Sequence, residues 1–156
     1  MSSLKSISSS SVKSQNNQRL DSAHSLLASS HVVTMAMEAA IEKKAYDLRG
    51  LVLREISDVA DYFVVASGSS DRHVRGIADE IMRRLAEVGE RPFSISGYEN
   101  GEWILLDYVN IVIHVFHEPV RHFYGLDELW NRAPLLELPE QLSIEAKRLR
   151  TGLFPA

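Results

Sequence analysis

Two neighbouring segments rich in apolar and aromatic residues, 103–108 and 111–116, constrain the fold more than any other feature of this chain. Side chains of an extended strand point alternately to the two faces of a sheet, and this geometry separates each segment into two sets of side chains. The dipeptide Val109-Asn110 between the segments predicts a turn. We therefore expect two consecutive strands here, each with two faces of different composition.

Three further strands are predicted upstream. Asn100-Gly101 is the commonest type I′ hairpin pair, because both residues accept positive φ at low cost, and it would join residues 93–98 to the 103–108 strand. The uninterrupted apolar run at 62–66 is typical of a central strand that is covered on both faces. Alternation at 51–53 predicts a half-buried strand before it.

Helical spacing of apolar residues predicts helices before and after that central strand. The first is expected from Met37 to Ala45, with Thr34 as its N-cap. Glu118-Pro119 is a good opening for the first of two short helices near the end of the domain. Five strands with flanking helices predict a mixed sheet in an α/β (α+β) domain. The helix predicted after the central strand is longer and is ended by Gly89. Its apolar stripe consists of Val74, Ile77, Ala78, Ile81, Met82, Leu85 and Val88.

Composition divides the chain into three segments. Residues 1–34 are Ser-rich and poor in acidic residues, which predicts a disordered leader. Residues 35–138 are predicted to form the folded domain, and residues 139–156 a C-terminal tail or short helix. The leader also has the bias of an organellar transit peptide, but an over-extended start upstream of Met35 or Met37 explains it equally well.

Charge and composition exclude several classes of protein. The chain has 156 residues and no cysteine, which removes disulfides, thiolate catalysis and cysteine-ligated metals. Its apolar runs are too short for a membrane span, so no membrane partner is expected. Residues 38–156 contain 14 basic and 20 acidic residues, a net charge of −6. An acidic body favours a basic protein as partner and little direct contact with nucleic acid.

Two catalytic hypotheses are incomplete in this sequence. His114, His117 and His122 are of a type that binds zinc, but an odd spacing along a strand points the first two to opposite faces. Gly68-Ser69 follows a strand and precedes a helix, as the phosphate-binding Gly-Ser of nucleotidyltransferases does. No Asp-x-Asp or Asp-x-Glu pair follows on a strand to hold magnesium. We therefore predict no catalytic residue, no metal and no cofactor.

One face of the predicted strand pair mixes aromatic, apolar and ionisable side chains. Trp103, Leu105 and Asp107 share one side of their strand, and His114 and Phe116 share one side of the next. Such a mixture suits a protein-docking patch, because aromatic residues supply contact area and polar neighbours set the register. The alternative is that Trp103 is a core residue and His114 a satisfied buried histidine. The pattern alone leaves both interpretations open.

The order and spacing of the motifs resemble those of the ribosomal silencing factor (Iojap-like) family. The resemblance extends over about residues 38–134. The segments that carry it are residues 60–74 (ADYFVVASGSSDRHV), 103–108 (WILLDY), 114–118 (HVFHE) and 123–130 (FYGLDELW).

This resemblance implies a fold related to nucleotidyltransferases without their catalytic carboxylates. It also implies that the chain binds the fourteenth protein of the large ribosomal subunit, blocks association with the small subunit and represses translation when nutrients are short. Members of the family tend to form homodimers. They act in the bacterial cytoplasm, while plastid and mitochondrial relatives act in ribosome assembly.

The resemblance places a docking surface on seven residues of this chain. A nucleotidyltransferase-like enzyme and a generic dimeric adaptor domain remain the alternative functions. The expected docking residues are Trp103, Leu105, Asp107, Tyr108, His114, Phe116 and Tyr124.

Overall fold

The chain divides into two units, Met1–His31 and Val32–Ala156. In the first unit the described residues are all helical, and the predicted disorder of the leader stays a prediction. The elements named below belong to the second unit. The computed structural model describes residues 15, 17–19, 29–125, 128, 131–137 and 139–141.

Helix α1 covers residues 32–42 of the second unit and buries one apolar stripe. Val33, Ala36, Met37 and Ala40 are almost fully inaccessible to solvent. The prediction of Thr34 as an N-cap is wrong, because Thr34 lies inside helical backbone. The helical stripe continues upstream of the predicted start, where Val32 and Val33 join the same core.

Strand β1, Tyr46–Val52, begins earlier than the alternation at 51–53 predicts and ends before Leu53. A shift in register between Tyr46 and Arg49 marks a bulge, and Asp47 there adopts a φ of 48°. A bulge interrupts the period of two, which explains why the sequence pattern concealed the first half of this strand.

Strand β2, Tyr62–Gly68, is buried along its whole length, as its apolar run predicts. Helix α2, Asp71–Ala86, follows at once and is capped by Ser70, whose side chain accepts a hydrogen bond from the His73 N–H at 3.0 Å. This cap satisfies one of the backbone donors that a helix N-terminus leaves free. The predicted stripe is confirmed for Val74, Ile77, Ala78, Ile81 and Leu85, which are all buried.

The remaining strands are β3, Ser94–Ser96, β4, Trp103–Asp107, and β5, Ile111–His117. Residues 97–102 connect β3 to β4, so the predicted two-residue type I′ turn is wrong. Asn100 has no positive φ, whereas Gly97 and Gly101 have φ values of 75° and 66°. The turn between β4 and β5 is tight, as predicted, and Val109 takes a φ of 72° there.

The sheet has the order β1-β2-β5-β4-β3. Strands β2 and β5 are parallel and the other three pairs are antiparallel, so the predicted mixed sheet and α+β class are confirmed. Strand β2 is internal, and β5 occupies the central position. Helices α1 and α2 cover one face of the sheet and enclose the larger core with Val64, Ile104 and Ile113.

Helix α3, Glu118–Tyr124, begins directly after β5, and its Pro119 lies in the first turn, as predicted. The buried Arg121 anchors it, because Nη1 donates to the Asp47 carbonyl at 2.5 Å and to Ser67 Oγ at 2.8 Å. The second short helix falls mostly outside the described residues. None of the helices in the described part of the chain has the length and apolar character of a transmembrane span.

Candidate functional site

The face of the sheet opposite α1 and α2 contains five of the seven residues that the resemblance singles out, Trp103, Leu105, Asp107, His114 and Phe116. Strand pairing sets Trp103 opposite Phe116, Leu105 opposite His114, and Asp107 opposite Val112. Because directly opposed residues in an antiparallel pair share a face, these six residues form one surface, which we call the Trp103 face. The predicted division of β4 into two sides is confirmed, since its exposure alternates strictly along the strand.

Aromatic rings fill the centre of the Trp103 face. Trp103 stacks on Phe116 with ring centroids 5.0 Å apart, and Phe63 of β2 meets His114 edge-on at 4.8 Å. Phe116 is completely buried and His114 is 4% exposed, whereas Trp103 and Leu105 are only half-buried. The exposed layer of this face therefore consists of Trp103 and Leu105, supported from below by Phe116 and His114.

Trp103 and His114 are joined by a hydrogen bond. Trp103 Nε1 donates to His114 Nδ1 at 3.1 Å. A nitrogen that accepts has no proton in neutral imidazole, so this bond assigns the proton to Nε2. Nε2 is buried and has no hydrogen-bond partner among the described residues. Burial lowers the pKa of His114 to about 4, so the ring is neutral at physiological pH.

Asp107 has a local structural role in addition to its place at the rim of the face. Its Oδ1 accepts a hydrogen bond from the Val109 N–H at 2.8 Å. This bond holds the tight turn in which Val109, a β-branched residue, has an unfavourable positive φ. Asp107 thereby fixes the register of β4 against β5, on which the position of Trp103 opposite Phe116 depends.

One predicted docking residue, Tyr108, lies outside the Trp103 face. Tyr108 is 9% exposed and belongs to the core beneath the helices, on the other side of the sheet. Its buried hydroxyl has no hydrogen-bond partner among the described residues, and desolvation raises its pKa to about 12. Tyr124 ends helix α3, and its side chain lies outside the described residues.

Sequence reasoning missed residues that complete the floor of this face. Phe63 and Val65 of β2 pack with Phe116 and Val112, and Leu53 and Ala133 close one side. The signal in the sequence was the period of two within residues 62–66, which puts Phe63 and Val65 on the same side of β2. In the parallel register of β2 and β5, Phe63 pairs with Val112, so this side belongs to the Trp103 face. An unbroken apolar run hides that period, since both sets of side chains are apolar.

The loop after β2 is occupied by its own side chains. The Ser69 N–H donates to His73 Nδ1 at 2.9 Å, and His73 Nε2 lies 2.7 Å from the Lys43 carbonyl. The backbone donor that would grip a phosphate is therefore already used. His117 Nε2 lies 3.2 Å from the Ser69 carbonyl, and the described residues contain no group of three His, Asp or Glu placed to hold a metal ion.

Comparison with known proteins gives one consistent family. The family model described as "Ribosomal silencing factor during starvation" matches residues 27–151. The ribosomal silencing factor of Bacillus subtilis is 38% identical over 107 residues, which are 69% of this chain and 91% of that protein. The chloroplastic protein Iojap of Zea mays is 34% identical over 113 residues, 70% of this chain and 47% of that protein.

Solved structures show the same likeness. A crystal structure of a Chromobacterium violaceum protein is similar with a TM-score of 0.63 and 31% identity, covering 65% of this chain and 84% of the other. A protein of Bacillus halodurans gives a TM-score of 0.62 and 34% identity, covering 69% of this chain and 98% of the other.

Proposed function

Because the chain belongs to the ribosomal silencing factor family, we propose that it binds the large ribosomal subunit through that subunit's fourteenth protein. The bound factor occupies the space that the small subunit requires, and it represses translation when nutrients are limiting. Such occlusion requires no bond to be made or broken, so the proposed activity is not enzymatic. The proposed compartment is the bacterial cytoplasm.

The half-buried pair Trp103 and Leu105 is the observation that carries this proposal. Large apolar side chains that are half-buried on a rigid sheet suit a docking anchor, because the underlying Phe116 and His114 fix their positions. A rigid anchor loses little conformational entropy on binding. The net charge of −6 on residues 38–156 supports a basic partner.

Sedimentation tests the proposal directly. Purified protein is mixed with isolated large subunits, small subunits and intact ribosomes and is then separated on a gradient. We expect co-sedimentation with free large subunits and loss of their association with small subunits. Normal subunit association at saturating protein would refute the proposed function.

Substitution of Trp103 tests the docking face. Trp103→Ala should weaken binding to the large subunit by about 2 kcal/mol, roughly thirtyfold, if the indole is an interface hot spot. Leu105→Ser should weaken binding less, because its side chain is smaller. Val88→Ala is the matched control, since Val88 is 48% exposed at the end of the helix layer on the other face. Folded Trp103→Ala protein with wild-type affinity would remove Trp103 from the site.

The compartment has its own test. Mass spectrometry of the native N-terminus would detect a cut leader, which would place the protein in a plastid or mitochondrion. An intact leader, or a start at Met35 or Met37, would support the bacterial cytoplasm.

A further inference from the structure

The two edges of the sheet differ in how they are covered. Beside β1, residues 134–136 add a short extended stretch, in which the Val52 N–H donates to the Pro134 carbonyl and the Leu136 N–H to the Gly50 carbonyl, each at 2.8 Å. Beside β3, no strand of the described residues lies on the outer side. Such an edge presents backbone N–H and C=O groups with which an extended peptide can pair as an additional strand.

The edge at β3 also displays apolar side chains. Phe93, directly before β3, is 80% exposed, and Ile95 at the centre of β3 is 47% exposed. Ile95 pairs with Leu106, which is buried in the core beneath α1 and α2, so Ile95 lies on the helix side of the sheet. The edge therefore offers both hydrogen bonds and apolar area to an added strand.

A groove of about 680 Å³ lies between β3 and helix α2. Asp79 and Met82 form its α2 wall, and Ile95 belongs to its β3 wall. The Tyr98 hydroxyl donates to Asp79 Oδ1 at 2.8 Å, which holds the β3–β4 connection against α2 and fixes the shape of the groove. The rest of the lining consists of Gly97, Tyr98, Glu99 and Asn100.

The surroundings of this edge are acidic. Residues 87–102, which lead into β3 and out of it, contain four acidic residues and one basic residue, a net charge of −3. Asp79 and Glu99 line the groove, and among the described residues no lysine or arginine does. The neighbouring Arg75 already donates to Asp71 Oδ2 at 2.9 Å and to the Glu99 carbonyl at 3.1 Å. The groove is therefore complementary to basic side chains.

We propose that the outer edge of β3 binds an extended, basic segment of another protein, which adds to the sheet as a sixth strand. The segment pairs its backbone with β3 and places every second side chain on the helix side of the sheet. An apolar side chain of the segment packs on Ile95 and Phe93. A basic side chain further along the same side enters the groove beside Asp79 and Glu99.

An extended basic peptide uses all the features of this edge together. A helix could cover Phe93 and Ile95 but would leave the backbone groups of β3 unpaired. A nucleic acid would bring phosphates towards an acidic surface, which is electrostatically unfavourable. Because β3 has only three residues, the interface is small and the complex is expected to be weak.

Two synthetic peptides test the chemistry of the partner. The first, Thr-Val-Thr-Val-Thr-Lys-Thr-Lys with blocked termini, places its valines and lysines on one side of an extended strand. The second has glutamate in place of both lysines. Fluorescence anisotropy with the full chain should show that the lysine peptide binds about tenfold or more tightly than the glutamate peptide. Equal affinity for the two peptides, or no saturable binding of the lysine peptide, would overturn the proposal.

Methylation of the peptide backbone tests strand addition itself. Only every second N–H of an added strand faces the edge that it joins. Two versions of the lysine peptide are therefore compared, one N-methylated at its threonines and the other at its valines and lysines. One version should lose binding and the other should retain it. Unchanged binding of both versions would show that no backbone pairing occurs.

Variants of the chain locate the binding site. Phe93→Ser and Glu99→Arg should each weaken binding of the lysine peptide several-fold, and Glu99→Arg should bind the glutamate peptide better than the natural chain does. Leu135→Ser is the control for lost apolar area, since Leu135 is 62% exposed at the opposite edge. Glu55→Arg is the control for charge, because Glu55 is exposed in the connection that follows β1. Equal effects of Glu55→Arg and Glu99→Arg would refute a site at β3.

The proposal goes beyond ribosome docking and fails independently of it. Phe93→Ser protein should still co-sediment with large subunits, because the groove lies on the helix side of the sheet and the Trp103 face on the other. Loss of peptide binding in folded Trp103→Ala protein would place the peptide on the Trp103 face and overturn the inference. Peptide binding that weakens as the protein concentration rises would show that a second copy covers this edge instead, which would also overturn it.

Discussion

At the scale of single residues, His114 is a titratable group whose environment differs strongly from that of an exposed side chain. It lies among Phe63, Trp103 and Phe116, is hydrogen-bonded through Nδ1, and has a pKa lowered to about 4 by burial. An unfolded histidine titrates near about 6.5. Protonation of His114 therefore favours the unfolded chain. The contribution of His114 to the free energy of unfolding is fully present above a pH of about 6.5 and is lost as the pH falls towards 4.

This difference predicts a measurable acid sensitivity. Lowering the pH from 7.5 to 5 should reduce the free energy of unfolding by up to about 2 kcal/mol, because His114 becomes protonated in the unfolded chain. His114→Gln retains an acceptor for the Trp103 indole but does not titrate. The free energy of unfolding of this variant should therefore fall less between pH 7.5 and pH 5 than that of the natural chain, by up to about 2 kcal/mol. Urea unfolding at both pH values provides the comparison. An equal loss in both proteins would show that His114 is not the acid-sensitive group.

At the scale of elements, two glycines show how context decides the effect of the same substitution. Gly76 lies inside α2, and an added Cβ would meet no atom within 4 Å. Gly97 begins the β3–β4 connection with a φ of 75°, and an added Cβ would lie 2.0 Å from the Trp103 carbonyl oxygen. The helix tolerates a side chain at Gly76, whereas the connection excludes one at Gly97.

Alanine at these positions should change stability in opposite directions. Gly76→Ala should raise the free energy of unfolding by up to about 1 kcal/mol, because alanine has the higher helix propensity. Gly97→Ala should lower it by about 2 kcal/mol or more, because both the backbone conformation and the contact with Trp103 oppose a Cβ. Guanidinium unfolding measures both. A stabilised Gly97→Ala protein would contradict the observed connection.

At the scale of the whole molecule, the acidic charge of the folded part should determine how fast the protein finds a basic partner. Attraction between opposite charges mainly accelerates encounter, and salt screens it beyond about 8 Å at physiological ionic strength. We expect the association rate with large subunits to fall several-fold between about 50 and 200 mM salt, with a smaller change in dissociation rate. Surface-immobilised subunits allow both rates to be measured. An association rate independent of salt would exclude electrostatic steering.

The sequence alone determined the features that repeat within a short stretch of chain. The stripe from Val74 to Leu85 defined α2, the apolar run defined β2, and alternation divided β4 into an inner and an outer side. Each of these patterns depends only on the local geometry of a helix or a strand. The order and spacing of short motifs also indicated the family, which the family model confirms.

Only the tertiary structure decided how those segments meet. It placed β5 between β2 and β4, extended β1 through a bulge, replaced the expected tight turn with residues 97–102, and put Phe63 beneath His114. These outcomes depend on pairing between strands far apart in the chain, and no local period records which distant strand supplies the neighbour.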